Sequence, residues 1–238
     1  MTLMQTLRLA LLAGCAGLGF GGTPASAAVR DWRIAGFDKV DLAAAATVQV
    51  HSGRAFAVHA DGDGELVDRL DVHVRDGTLV IAWLPGREPH DVHDQHLTID
   101  VAMPRVAGAS VSGAGTVAVD RAEAARFAGR VGGAGLLRIG GLKAGQTSLD
   151  VGGAGTLDAT GGTDRVVIHL SGVGSIKAGG LAARAGLIDM AGTGSVTARV
   201  DGPVEVKLSG VGSVSVLGRS DCVVHKSGWG SVHCNVSH

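Results

Sequence analysis

From residue 109 onward apolar and polar residues alternate with period two, and glycine sets the phase of the alternation. With the copies of a recurring Gly-x-Gly aligned on their first glycine, the residue two positions earlier is Val111, Val131, Val151, Leu170, Met190, Leu208 or Lys226. The residue four positions later is Val117, Leu137, Leu157, Ile176, Val196, Val214 or Val232. Alternation on both sides of the glycines is the strand period, with one face turned inward. No segment sustains the i, i+3, i+4, i+7 stripe of an amphipathic helix, which excludes a helical repeat.

The first glycines of the copies are Gly113, Gly133, Gly153, Gly172, Gly192, Gly210 and Gly228, in steps of 20, 20, 19, 20, 18 and 18 residues. A fixed period near twenty is the mark of a solenoid in which each repeat is one rung. The pattern predicts an all-β chain, a β-helix or β-solenoid of about seven Gly-x-Gly rungs, with each glycine pair at a tight corner. Such a corner requires either positive φ or close backbone approach. At ~4.8 Å per rung the rod is about 34 Å long. The outward positions fit the same register. Arg130 falls beside Asp150, Asp189 beside Lys207, and Asp158 between Arg138 and Lys177. Opposite charges on neighbouring strands are expected cross-strand pairs, each worth roughly 0.2–1 kcal/mol.

Residues 28–105 lack the glycine signature but still read as short strands: Thr47 to His51, Phe56 to His59, Leu70 to Val74, Thr78 to Trp83 and Leu97 to Val101. Turn signals at Asp61-Gly-Asp-Gly and Arg75-Asp-Gly separate them, and Gly64 to Leu70 suits one helical turn. This segment is expected to form an N-terminal β-rich cap on residues 106–238, giving one continuous unit over 28–238.

The order of these features is familiar. Phe37-Asp-Lys-Val is followed by Ala46-Thr-Val-Gln-Val, Leu66-Val-Asp-Arg-Leu and Asp76-Gly-Thr-Leu-Val-Ile, and then by a strand ending in Ala102-Met-Pro. Serial Ser-Gly-x-Gly-Ser-[Val/Ile] corners come next. The chain resembles, over roughly residues 34–234, the putative auto-transporter adhesin head GIN domain family of bacterial exported proteins. The resemblance implies a β-helical fold and an extracytoplasmic location, and brings no activity and no catalytic residues. The chain departs from a complete autotransporter in having no room for a membrane-spanning barrel.

Composition narrows the function classes. Hydrophobic residues make up 45% of the chain, enough for a buried core despite 39 glycines. A net charge of −1, from 21 basic and 22 acidic residues, gives no basic stripe, so no nucleic-acid partner is expected. Arg8 is the only charged residue before Arg30, an apolar run spans Leu9 to Phe20, and Ala25-Ser26-Ala27 forms an A-x-A site. Residues 1–27 thus read as a signal peptide cleaved after Ala27. The competing reading is a lipobox, Leu12-Ala13-Gly14-Cys15, which would put a lipid on Cys15 and the protein on a membrane. With Cys15 removed, Cys222 and Cys234 remain, an even pair that favours a disulfide in an exported protein. One rung earlier their positions hold Val204 and Val216, so both cysteines are expected to point inward and to staple the last coil.

Three clusters carry candidate chemistry. His90, His93 and His96 lie in an exposed loop interleaved with Asp91 and Asp94, and imidazoles so spaced suit zinc, copper or nickel. Asp150, His169 and Asp189 occupy one outward ladder on consecutive rungs, within reach of carboxylate–imidazole contacts and of acid–base geometry. A solvated charge ladder is the better reading, since no Ser or Cys nucleophile is associated with them. Cys222, His225, His233 and Cys234 are zinc-ligand types, but the cysteines fall on the inward register and the histidines on the outward one. The corner glycines are scaffold, since a phosphate cradle needs a following helix and occurs once.

The functional expectation is an exported, non-catalytic β-helix with a binding, adhesive or envelope-structural role, no cofactor, and a surface glycan or protein as partner. The alternatives are a periplasmic metal binder using the histidine loop and a polysaccharide-active β-helix enzyme. Against the enzyme, aromatic residues are only 3% of the chain, too few to floor a sugar subsite.

Overall fold

The computed structural model describes residues 27–89 and 96–234. The N-terminal part comprises β1 (Ala27–Trp32), β2 (Lys39–Leu42), β3 (Thr47–Ser52), β4 (Ala57–Asp63), the single turn α1 (Gly64–Asp68), β5 (Leu70–Arg75) and β6 (Thr78–Trp83). Next in the sequence come β7 (Leu97–Met103), β8 (Gly108–Val111), β9 (Thr116–Val119), β10 (Ala122–Val131) and β11 (Leu136–Val151). The rod continues through β12 (Thr156–Leu170), β13 (Val173–Met190), β14 (Thr193–Val200), β15 (Gly202–Leu208) and β16 (Val211–Leu217). It closes with β17 (Ser220–Lys226) and β18 (Trp229–Cys234).

These strands stack into parallel ladders, one on each side of the corner and a shorter third. The ladder before the corner runs β6–β2–β8–β10–β11–β12–β13–β15–β17. The ladder after it runs β7–β3–β9–β11–β12–β13–β14–β16–β18. The third face stacks Ala122–Ala124 on Leu142–Ala144, residues 161–163 and Leu181–Ala183, because β10 to β13 bend around a further corner. The inward positions form one core; Val131, Leu149, Val151, Ile168 and Ile188 have no exposed surface. The chain is therefore an all-β solenoid, as its period predicts.

Close approach, rather than positive φ, accounts for the first corner glycines. A Cβ on Gly133 would fall on the carbonyl oxygen of Gly113, and one on Gly153 on that of Gly133, with the same clash at Gly172, Gly192, Gly210 and Gly228. The corners themselves are tied rung to rung, with Ala154 N–H donating to the Gly133 carbonyl at 3.0 Å and Val173 N–H to that of Gly153 at 2.9 Å.

The N-terminal segment is more than a row of degenerate coils. Leu42 pairs with Val111 and Thr47 with Thr116, so Ala44 and Ala46 occupy the two glycine positions of a further corner. Both alanine methyls pack into the core, where Ala44 has no exposed surface and Ala46 is buried. Spatial order also departs from chain order, because β2–β3 lies between β6–β7 and β8–β9. The outermost strands turn antiparallel: β5 on β6, and β1 on β4 on β7. Asp63 caps α1 by accepting the Glu65 N–H at 3.0 Å.

At the other end Cys222 and Cys234 are bonded, their Cα atoms 6.5 Å apart across the last corner. Cys222 stacks on Val204 and Cys234 on Val216, the inward register expected for them.

Candidate functional site

The outward ladder before the corner reads Asp41, Ser110, Arg130, Asp150, His169, Asp189, Lys207, His225 in consecutive register. Its members do not work as one relay. Asp150 turns toward Arg130 at 3.8 Å, His169 toward Asp189 at 3.9 Å, and Lys207 toward Glu205 at 3.0 Å. Both His169 and Asp189 keep 43% of their side-chain surface exposed.

A second array lies on the N-terminal cap, and its members are far apart in sequence. His59 Nδ1 lies 2.8 Å from Asp31 Oδ1, on the neighbouring strand β1. Asp100 faces His59 across β4–β7, and its Oδ1 is 3.8 Å from His51 Nε2. His51 Nδ1 in turn is 3.2 Å from Asp120 Oδ2. Carboxylates and imidazoles thus alternate over four strands and the turn after β9. Among the described residues no three such groups converge as metal ligands.

The hydrogen bond that His59 donates to Asp31, reinforced by the charges of Asp31, Asp100 and Asp61 against a smaller opposing effect of desolvation, raises the His59 pKa above its ordinary 6.5. A raised folded-state value means that the contact stabilises fully below the unfolded-state pKa and is lost as pH rises through the folded one. Strand β1 should therefore be held most firmly in mild acid. Hydrogen exchange of the β1 amides, corrected for intrinsic rates, should show higher protection at about pH 5.5 than at about pH 8.5. His59→Gln should remove that difference, and an equal pH effect in the variant would show that another group is responsible.

The third face carries a concavity, a groove of about 790 Å³. Its floor is Ala124, Ala144, Gly145, Gly162, Thr163 and Ala183, and small residues stacked at the same phase leave the face sunken. Its rims carry Glu123, Lys143, Asp164, Arg184, Arg105 and Asp201. Glu123 pairs with Lys143 at 3.1 Å and Asp164 with Arg184 at 3.2 Å. Asp201 accepts the Arg219 N–H at 3.0 Å, and that bond, with help from Arg199, lowers its pKa and keeps it charged. The floor is open to solvent on one side and runs roughly 20 Å along the rod axis, crossing rung after rung. It can hold an extended chain by polar contacts at one-rung intervals.

The groove escapes a reading built on the corner glycines, although a signal for it exists. Ala124, Ala144, Thr163 and Ala183 recur at steps of 20, 19 and 20, the period of the corners. Of the histidine loop, His90 and His93 lie outside the described residues. His96 is exposed at the start of β7, its carbonyl accepting the Asp63 N–H at 3.2 Å. Trp229 is 87% exposed at the last corner.

The rod has solved counterparts. A protein described as a putative adhesin from Bacteroides fragilis NCTC 9343 superposes with a TM-score of 0.78 at 22% identity, over 88% of this chain and 97% of that one. A putative adhesin from Parabacteroides merdae ATCC 43184 gives 0.65 at 12% identity, over 89% and 97% of the two chains. A protein described as a putative lipid binding protein from Parabacteroides distasonis ATCC 8503 gives 0.63 at 17% identity, over 89% and 97%. At these identities the likeness is one of fold. No functionally curated protein matches the chain. Residues 36–220 match the family described as "putative auto-transporter adhesin, head GIN domain", and the chain belongs to that family.

Proposed function

We propose that this chain is an exported, non-catalytic binding rod of the cell envelope, and that the third-face groove is where it holds its ligand. The groove carries the reading: it is sunken and elongated, its rim charges recur rung by rung, and its floor is of residues too small to obstruct a guest. The ligand that fits is an extended polar polymer, a surface glycan or a protein segment laid along the rod. Absence of aromatic lining means that recognition would rest on hydrogen bonds and charge. The family description and the putative adhesins among the structural neighbours support a binding or adhesive role. A disulfide suits an oxidising compartment. No helix among the described residues is long and apolar enough to cross a membrane. Cleavage after Ala27 would leave Ala28, opposite Gly62, as the first residue of β1. A lipid on Cys15 would instead tether the same rod to a membrane, and the mass of the mature N-terminus distinguishes the two.

The test uses purified residues 28–238 against an array of envelope polysaccharides and extended peptides. A ligand found there should bind about tenfold or more weakly to the Lys143→Glu/Arg184→Glu variant, which reverses two rim charges. Asp150→Asn and Asp189→Asn should leave its affinity unchanged. Undiminished binding by the groove variant would place the site elsewhere. Cleavage of any polysaccharide, abolished by either ladder variant, would overturn the non-catalytic reading.

A further inference from the structure

Among the described residues β17 and β18 each pair on one side only, with β15 and β16. Among the described residues no further strand pairs with the outer side of the coil they form. Natural edges are blunted by proline, bulges, short strands or inward-pointing charges; β17 is seven residues of strand without proline, and its one inward-pointing charge, Lys226, stands at its very end. Val223 is 56% exposed and Val224 43%, although Val224 occupies the inward position that holds fully buried Val206 one rung below. The core is thus open at this end.

The sequence of β17 is complementary to itself. Two copies meeting edge to edge about a two-fold axis must pair antiparallel, and outward residues must oppose outward ones if the sheet is to continue. Centred on Val223, this register sets Asp221 opposite His225 twice, Val223 opposite itself and Cys222 opposite Val224. It also sets Lys226 opposite Ser220. Lys226 interrupts an otherwise apolar inward column, and this register keeps it away from its own copy across the axis. A register centred on Val224 would instead press Lys226 against Cys222 and leave Asp221 facing Ser227.

We propose that the C-terminal edge docks a second copy of this chain, two rods joining end to end through β17 in the register centred on Val223. One strand pair across a rod's cross-section is below the roughly 800 Å² per partner of a standard interface. The dimer is therefore concentration-dependent, with a dissociation constant in roughly the micromolar to millimolar range. Joined this way, two rods would carry two grooves and hold a polymeric ligand by avidity.

Sedimentation equilibrium of residues 28–238 tests this, with melting curves to show that the variants are folded. Wild type should dimerise with rising concentration. Val223→Lys and Val223→Glu, which set like charges face to face, should each weaken association by about tenfold or more. An equimolar mixture of the two should restore a one-to-one dimer, because only this register puts the residue against itself. A wild type that stays monomeric to about 1 mM, variants that associate like wild type, or a mixture that stays monomeric would each overturn the proposal.

Discussion

Gly153→Ala should destabilise the rod by at least about 3 kcal/mol, while Gly152→Ala, one residue away, should leave it unchanged or stabilise it by a few tenths of a kcal/mol. The contrast follows from what each new methyl would meet. At Gly153 it would fall on the carbonyl oxygen of Gly133, with the Gly132 carbonyl immediately behind. Both obstacles are backbone, so no side chain can swing aside. Gly133 cannot retreat either, since it stands in the same relation to Gly113. At Gly152 the nearest atoms are Ser171 Oγ at 3.7 Å and Asp150 Oδ1 at 3.9 Å, ordinary contact distances. Urea unfolding of both variants measures the difference. Two unfolding free energies within about 1 kcal/mol of each other would mean that the corners are not closely stacked.

The next largest effect is expected from the disulfide. Replacing Cys222 and Cys234 together by valine removes the cross-link and keeps the bulk, since the rung below fills the same positions with Val204 and Val216. The loss should be about 3 kcal/mol, the typical worth of a short closed loop. It should also be local. A solenoid's stability is close to a sum over rungs and their neighbours, so the terminal coil would fray while the middle of the rod persists. Hydrogen exchange should then show lost protection in β17 and β18 and native protection in β10 to β13. Uniform loss along the chain would mean that the rod unfolds as one cooperative unit.

The corner glycines made much of the rod legible in advance, because every coil repeats the same constraint at the same phase. The column Arg130, Asp150, His169, Asp189, Lys207 is in register as counted, and so are the inward cysteines. Register did not settle partnership, however. Lys207 lies beside Asp189 on the ladder but reaches Glu205, because long side chains choose among several neighbours of similar energy. The corner at Ala44 and Ala46 carries no glycine signature, because both methyls fit into the core there. The Asp31–His59 and His51–Asp120 contacts join residues 28 and 69 positions apart, with no local period to announce them. The groove was hidden for a different reason. Its floor is made by what its residues lack, and small side chains give a weaker pattern than a repeated glycine pair.

The position of β2–β3, sandwiched between β6–β7 and β8–β9, has a consequence for how the molecule comes into being. Lys39 must find Gly108 and Thr47 must find Thr116, each 69 residues further along. Contacts of such separation carry the loop-closure cost before any return and slow folding. A chain emerging from the ribosome or a secretion channel holds an unfinished coil until residue 119 has followed it out. From there each further turn of about twenty residues can lay itself on a completed template. The start of the chain is the slow, vulnerable stage of its biogenesis, and the glycine-phased remainder grows from it in one direction.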